Sequence, residues 1–175
     1  MNNVKYLFDA NIFIDAHNLH YHPCFCDLFW NWLNDGHQAN HFFSLDRVKE
    51  EIAKPSLNNE LAKYVRAGVV PNNFFLDSLS NASLIDSYTD VIKWANNHGD
   101  YIQKAKDDFA DATKADAFLI SVAKVQGFTI ITNEVSQPEE KKRIRIPDVA
   151  KHFGVPVTRL PNVLKLHSFD NFKFQ

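Results

Sequence analysis

Two short apolar runs, each ending on a turn that carries an acid, constrain this chain more than any other feature. Residues 4–8 lead into Asp9-Ala10-Asn11, and residues 128–132 lead into Asn133-Glu134. Runs so short and so continuously apolar suit strands that are covered on both faces. Longer stretches with helical spacing lie between them. Helices are expected after the first turn and through residues 25–33, the latter ending at Asp35-Gly36. Others are expected over 46–53, with Ser44 or Asp46 as cap and Pro55 as stop. Two or three more should occupy 57–109, punctuated by Pro71 and Gly99. A strongly periodic helix covers 113–125 and ends at Gly127, and a last one starts at Pro147-Asp148-Val149. Further strands are expected at 41–44, 144–146 and 155–160. Strands alternating with helices make the fold class α/β, with a central parallel sheet of about 4–5 short strands flanked by helices in three layers.

Composition fits one domain spanning residues 1–175. With 45% apolar and 23% charged residues, the chain can bury an ordinary core. Most of its 15 phenylalanines are read as packing residues. The longest apolar stretch, around 115–123, contains Asp116 and Ser121 and is too short to span a bilayer. The N-terminal residues do not form a secretory signal, so a cytoplasmic location without membrane association is expected. Cys24 and Cys26 lie too close in sequence for a ready disulfide and are expected to be reduced. The net charge of −2 disfavours a generally basic nucleic-acid binder but leaves room for local basic patches.

In an open parallel sheet, ligands bind beyond the carboxyl ends of the strands. Asp9 and Glu134 each follow a strand, so topology alone places both at one sheet edge. Asp116 has Ala112, Thr113, Leu119 and Ile120 as its helical neighbours, a mostly apolar face on which a carboxylate is costly without a partner or a metal ion. The alternative is an acid near a helix N-terminus, favoured by the macrodipole. Glu51 lies beside the Val48–Ile52 stripe, whereas Glu50 points nearly opposite. Glu51 is therefore the better inward candidate, against the alternative of a solvated helix charge. Converging carboxylates repel one another, and a hard divalent cation relieves that repulsion. Oxygen donors suit Mg²⁺ or Mn²⁺, which would assist in-line displacement at a phosphodiester.

These residues, in this order, resemble the PIN domain. The matching stretches are Tyr6-Leu7-Phe8-Asp9-Ala10-Asn11-Ile12-Phe13, Phe29-Trp30-Asn31-Trp32-Leu33 and Val48-Lys49-Glu50-Glu51-Ile52. They continue with Ala115-Asp116-Ala117-Phe118-Leu119-Ile120, Ile131-Thr132-Asn133-Glu134 and Ile144-Arg145-Ile146-Pro147-Asp148-Val149. The resemblance covers nearly the whole chain. Within that family it is nearest to VapC-like toxins, in a subfamily catalogued as a domain of unknown function. It implies a metal-dependent endoribonuclease, the toxin of a pair with a protein antitoxin, and allows a homodimer. By position, Asp9, Glu51, Asp116 and Glu134 would form the acidic quartet that holds metal. Asn11 would orient the site and Thr132 would shape the turn. Many PIN domains carry Asp two residues after the Thr, where this chain has Glu134, whose longer side chain would reach metal directly or through water. A second class of function, a PIN-fold scaffold binding RNA or protein without cutting, stays open beside the enzyme.

Other signals are weaker. His20, His22, Cys24 and Cys26 alternate, a spacing unlike paired structural-zinc ligands, and read as a loop. Phe29, Trp30 and Trp32 could stack bases but have the spacing of a core helix. Lys141-Lys142-Arg143 with Arg145 could meet phosphates or form a solvated turn. The five glycines form no phosphate-binding loop. A phosphatase of the haloacid-dehalogenase type would want Asp where Asn11 stands.

Overall fold

The computed structural model describes residues 4–54, 59–170 and 172–175. Strand β1 (Tyr6–Phe8) is buried throughout and occupies the centre of a five-stranded sheet of order β3-β2-β1-β4-β5. Its neighbours are β2 (Phe42–Leu45) and β4 (Thr129–Ile131), with β3 (Phe75–Leu76) and β5 (Val157–Thr158) at the edges. Every pairing in this sheet is parallel. The chain builds β2 and β3 on one side of β1 and β4 and β5 on the other. The order therefore reverses between β1 and β4, which opens a crevice beyond their carboxyl ends.

The flanking helices follow from apolar spacing. Helix α1 (Ala10–Asp15) continues into a π-helical turn (Ala16–His20), and α2 is Asp27–Gln38. Helices α3 (Asp46–Ala53), α4 (Glu60–Arg66), α5 (Ala82–Asn97) and α6 (Gln103–Phe109) follow. Helix α7 (Asp116–Gln126) precedes β4, α8 is Ile146–His152 and α9 is Leu160–His167. A small antiparallel pair, β6 (Ser168–Phe169) with β7 (Lys173–Phe174), ends the described chain. Helix α7 is buried from Ala117 to Ala123, packed against α5, α8 and β4. No described helix is long and apolar enough to cross a membrane.

Most of the phenylalanines pack in the core, whereas Phe25 and Phe169 are exposed. Tyr6 and Phe8 project to the face covered by α2, where the Phe8 ring meets Trp32, Phe42 and Phe74. Phe29, Trp30 and Trp32 are all buried, which makes them core residues of α2.

Several boundaries differ from expectation, each for a physical reason. Helix α2 does not stop at Gly36 but runs on to Gln38, and the left-handed residue that follows is Asn40 (φ 65°). Gly36 is needed for packing, because a Cβ there would lie 2.0 Å from the Phe42 ring. Ser44 caps no helix; its hydroxyl donates to the Phe8 carbonyl at 2.6 Å and ties β2 to β1. Asp46 instead begins α3, and its Oδ1 accepts the Arg47 and Ser78 amides. Residues 144–146 are not a strand. Ile144 and Ile146 are buried, but the Ile146 amide donates to a side chain rather than to a neighbouring strand, and α8 starts there with proline in its first turn. Strand β3 and the β6–β7 pair, two residues each, add to the expected strands, whereas the equally short β5 falls within the expected 155–160. The expected stop at Pro55 and helix start at Leu57 lie outside the described residues.

Gly36→Ala should destabilise the protein by about 1–3 kcal/mol, the usual effect of overpacking. Gly99→Ala should be nearly neutral, since nothing lies within 4 Å of a Cβ at that position. Urea denaturation of the two variants checks the contrast.

Candidate active site

The crevice at the sheet reversal is lined by Asp9, Asn11, Glu51, Asp116 and Glu134 and has a volume of about 480 Å³. Its architecture starts with the register Phe8↔Ile131, which lets β1 and β4 end side by side. Asp9 follows β1 as the N-cap of α1, and its Oδ1 accepts the Ala10 amide at 2.6 Å. Its Oδ2 accepts the Thr132 hydroxyl at 2.7 Å, and that same hydroxyl oxygen accepts the Glu134 amide at 3.1 Å. Thr132 is fully buried beneath the cleft and joins both strand ends through one oxygen. Asn11 adds a second tie, its Oδ1 accepting the Asn133 amide at 3.5 Å.

Glu51 arrives from α3, where Val48 and Ile52 turn into the core and carry it inward. Its Oε1 accepts the Ala115 amide at 2.6 Å. Ala115 is the N-cap of α7 and has no side chain able to cap. A carboxylate from another helix thus satisfies a donor at that helix end. Asp116 is the first residue of α7, so the helix-terminus reading of its position is correct. It also faces the acids, and among the described residues no hydrogen-bond donor reaches its carboxylate. Glu134 is engaged at both oxygens, by the Ile146 amide at 2.8 Å and by the Arg143 guanidinium.

Burial and mutual repulsion dominate the electrostatics. Burial, then Asp9, Glu134 and Glu51, push the Asp116 carboxyl up to about 8, with Arg143 opposing. The favourable helix dipole is outweighed. Burial likewise raises Asp9 to about 7, against the Thr132 and Ala10 hydrogen bonds and with the Glu134 and Glu51 charges. Burial also raises Glu51, against the Ala115 amide. The cluster therefore holds protons at neutral pH that free carboxyls would have lost.

All six residues singled out in the sequence meet here, five lining the cleft and Thr132 beneath it. Basic residues complete the wall: Lys54, Lys114, Lys142 and Arg143. Lys54 and Lys114 sit in no sequence motif, and Lys142 and Arg143 belong to a basic run that reads from sequence equally as phosphate contact or solvated turn. Arg145, from the same run, instead pairs with Glu140 at 2.7 Å. Spacing in sequence could not distinguish these, because the lysines reach the cleft from three separate segments.

A family model described as "Domain of unknown function (DUF4411)" matches residues 6–170. The chain belongs to this family. The match runs from β1 to just past β6 and so takes in every residue of the cleft. Neither the curated proteins nor the solved structures give a match.

The raised carboxyls give a stability signature in chelator. A folded-state value above the unfolded one means the native protein binds more protons, so stability falls as pH rises from about 4 towards 8. Asp116→Asn should match wild type near pH 4 and become increasingly the more stable of the two towards pH 8. Urea denaturation across that range measures the difference. A variant less stable at every pH would instead make Asp116 a structural partner.

Proposed function

We propose that this protein is a metal-dependent endoribonuclease of the PIN type. The observation that carries the reading is Asp116, a half-buried carboxylate on the cleft wall that faces three others and has no hydrogen-bond donor among the described residues. Burying such a group is costly unless an ion compensates it. The donor set is all oxygen, which fits a hard cation such as Mg²⁺ or Mn²⁺. Asp9, Asp116, Glu51 and Glu134 are the residues that would hold it. When bound, the ion supplies charge stabilisation and Lewis acidity to a phosphodiester under attack.

The chain's own residues have distinct parts. Thr132 holds Asp9 in one orientation, and Asn11 steadies the turn that presents Glu134. Asp116, with no donor on either oxygen among the described residues, would release its proton to hold a cation. Glu134 is already held by Arg143 and Ile146, so it serves first as an anchor for the 144–146 wall. Lys54, Lys114 and Lys142 offer positive charge around the acids, suited to phosphates on either side of the cut bond. This local charge answers the negative net charge of the chain. RNA as the substrate, a protein antitoxin as the partner and a homodimer as the assembly rest on the resemblance to VapC-like toxins. A cytoplasmic location is part of the same proposal.

Purified protein should cut RNA with Mn²⁺ or Mg²⁺ and stop with chelator. Asp9→Asn and Asp116→Asn should lower the rate on the order of 10²-fold or more. Binding of RNA without cleavage under all metal conditions would support the scaffold alternative instead.

Lys142→Ala should weaken RNA binding with little change in kcat and lower the slope of log affinity against log salt by about one. Titrations at several salt concentrations read this directly. In a bacterial host, expression of wild type should slow growth and Asp9→Asn should relieve it. Equal toxicity would separate growth arrest from the carboxylates.

A further inference from the structure

A second hollow, of about 410 Å³, shares Ile14 and Glu51 with the cleft and continues past His17, Asn18, Asn59 and Glu60. His17 lies on the π-helical turn and is only 5% exposed. The Tyr21 amide donates to the Ala16 carbonyl at 2.6 Å, closing the wide turn that carries His17. Such single π turns often mark functional sites. His22 follows, with its ring centroid 4.6 Å from that of His17. Its Nε2 is 3.2 Å from Glu60 Oε2. Glu60 begins α4, where Asn59 caps the helix by accepting the Ala62 amide at 2.8 Å. One ligand atom from each of His17, His22 and Glu60 lies within 4.8 Å of the others.

We propose that His17, His22 and Glu60 bind a divalent transition-metal ion of the zinc class, at a site separate from the acidic cleft. Two imidazoles and one carboxylate are a donor set that such ions prefer and that Mg²⁺ does not. The second shell is in place. His17 Nδ1 is 2.9 Å from Asn18 Oδ1, so this nitrogen carries the proton and donates, leaving the Nε2 lone pair free. On His22, Nδ1 is 2.9 Å from Cys24 Sγ. Nδ1 also accepts the Cys24 amide at 3.2 Å, so an ion at His22 Nε2 would require the proton now shared with Glu60 to move to Nδ1, exchanging that amide hydrogen bond for one to the sulfur. The spacing of one pair also fits. Ligand atoms about 2.0–2.1 Å from a tetrahedral ion lie about 3.3 Å apart, close to the His22–Glu60 separation. Glu60 is exposed, so an ion has access from solvent. Three protein ligands leave a fourth position open. The bound ion would clamp the turn after α1 to the start of α4. Of the alternating histidines and cysteines in this stretch, only His22 is a ligand.

The test titrates chelator-stripped full-length protein with Zn²⁺ by calorimetry and with Co²⁺ by visible absorption. His22→Gln and Glu60→Gln should each remove one equivalent of Zn²⁺, or weaken it by roughly 10–100-fold or more, together with its contribution to thermal stability. Asp116→Asn should keep that equivalent, and excess Mg²⁺ should not displace it. Circular dichroism reports whether each variant is folded. Glu60→Gln, at an exposed helix start, carries the test if His22→Gln does not fold. The proposal is overturned by wild type that takes no Zn²⁺, by equal binding in both variants, or by loss confined to Asp116→Asn.

Discussion

The hydrogen bond from Thr132 to Asp9 holds the ends of two strands together, and the cleft is built outward from it. Strands β1 and β4 end in register, so the two residues leave the sheet as neighbours. A buried carboxyl without partners would be expensive, and this one obtains a hydroxyl and a helix amide. The same threonine oxygen receives the Glu134 amide, which sets where that side chain starts. Glu134 in turn takes the Ile146 amide and draws the 144–146 segment into the wall. Removing the threonine hydroxyl would loosen three segments at once.

Acids reach this centre from helices as well as from strand ends, and the two kinds are not equivalent. Glu51 replaces a missing cap on α7, so its charge does structural duty at the Ala115 amide. Asp116 has no such duty. Placed at a helix start, it gains from the dipole, yet burial and three neighbouring carboxyls raise it to about 8. Local helix electrostatics therefore lose to the surroundings. The arrangement keeps on the cleft wall a carboxyl that burial and its acidic neighbours hold protonated at neutral pH, with Arg143 opposing them. Arg143 offsets part of the repulsion by holding Glu134.

Much of this was legible before the fold was known. The strand-then-acid turns at Asp9 and Glu134 need only two apolar runs and the rule that parallel strands present their carboxyl ends together. Glu51 could be chosen over Glu50 because Val48 and Ile52 define the buried stripe. Other features were not legible. Gly36 looks like a helix stop, and only the Phe42 ring across the layer explains why it is glycine. Residues 144–146 have strand composition, but their amide is taken by a side chain twelve residues away in sequence. Of the two-residue strands, only β5 lies in an apolar run long enough to read; β3, β6 and β7 carry too little pattern.

The sequence by itself determined the alternation of elements, the parallel sheet and the acids at its edge. Those depend on periodicity and on residues next to one another in the chain. The tertiary structure alone decided which charges meet. Lys54, Lys114 and Lys142 converge from separate segments, and Glu60 approaches His22 across 38 residues. Electrostatic environment depends on burial and on distances through space, and neither is written in local spacing. The raised Asp116 carboxyl is the clearest case: its position at a helix start is a local fact, whereas its protonation is a property of the assembled cleft.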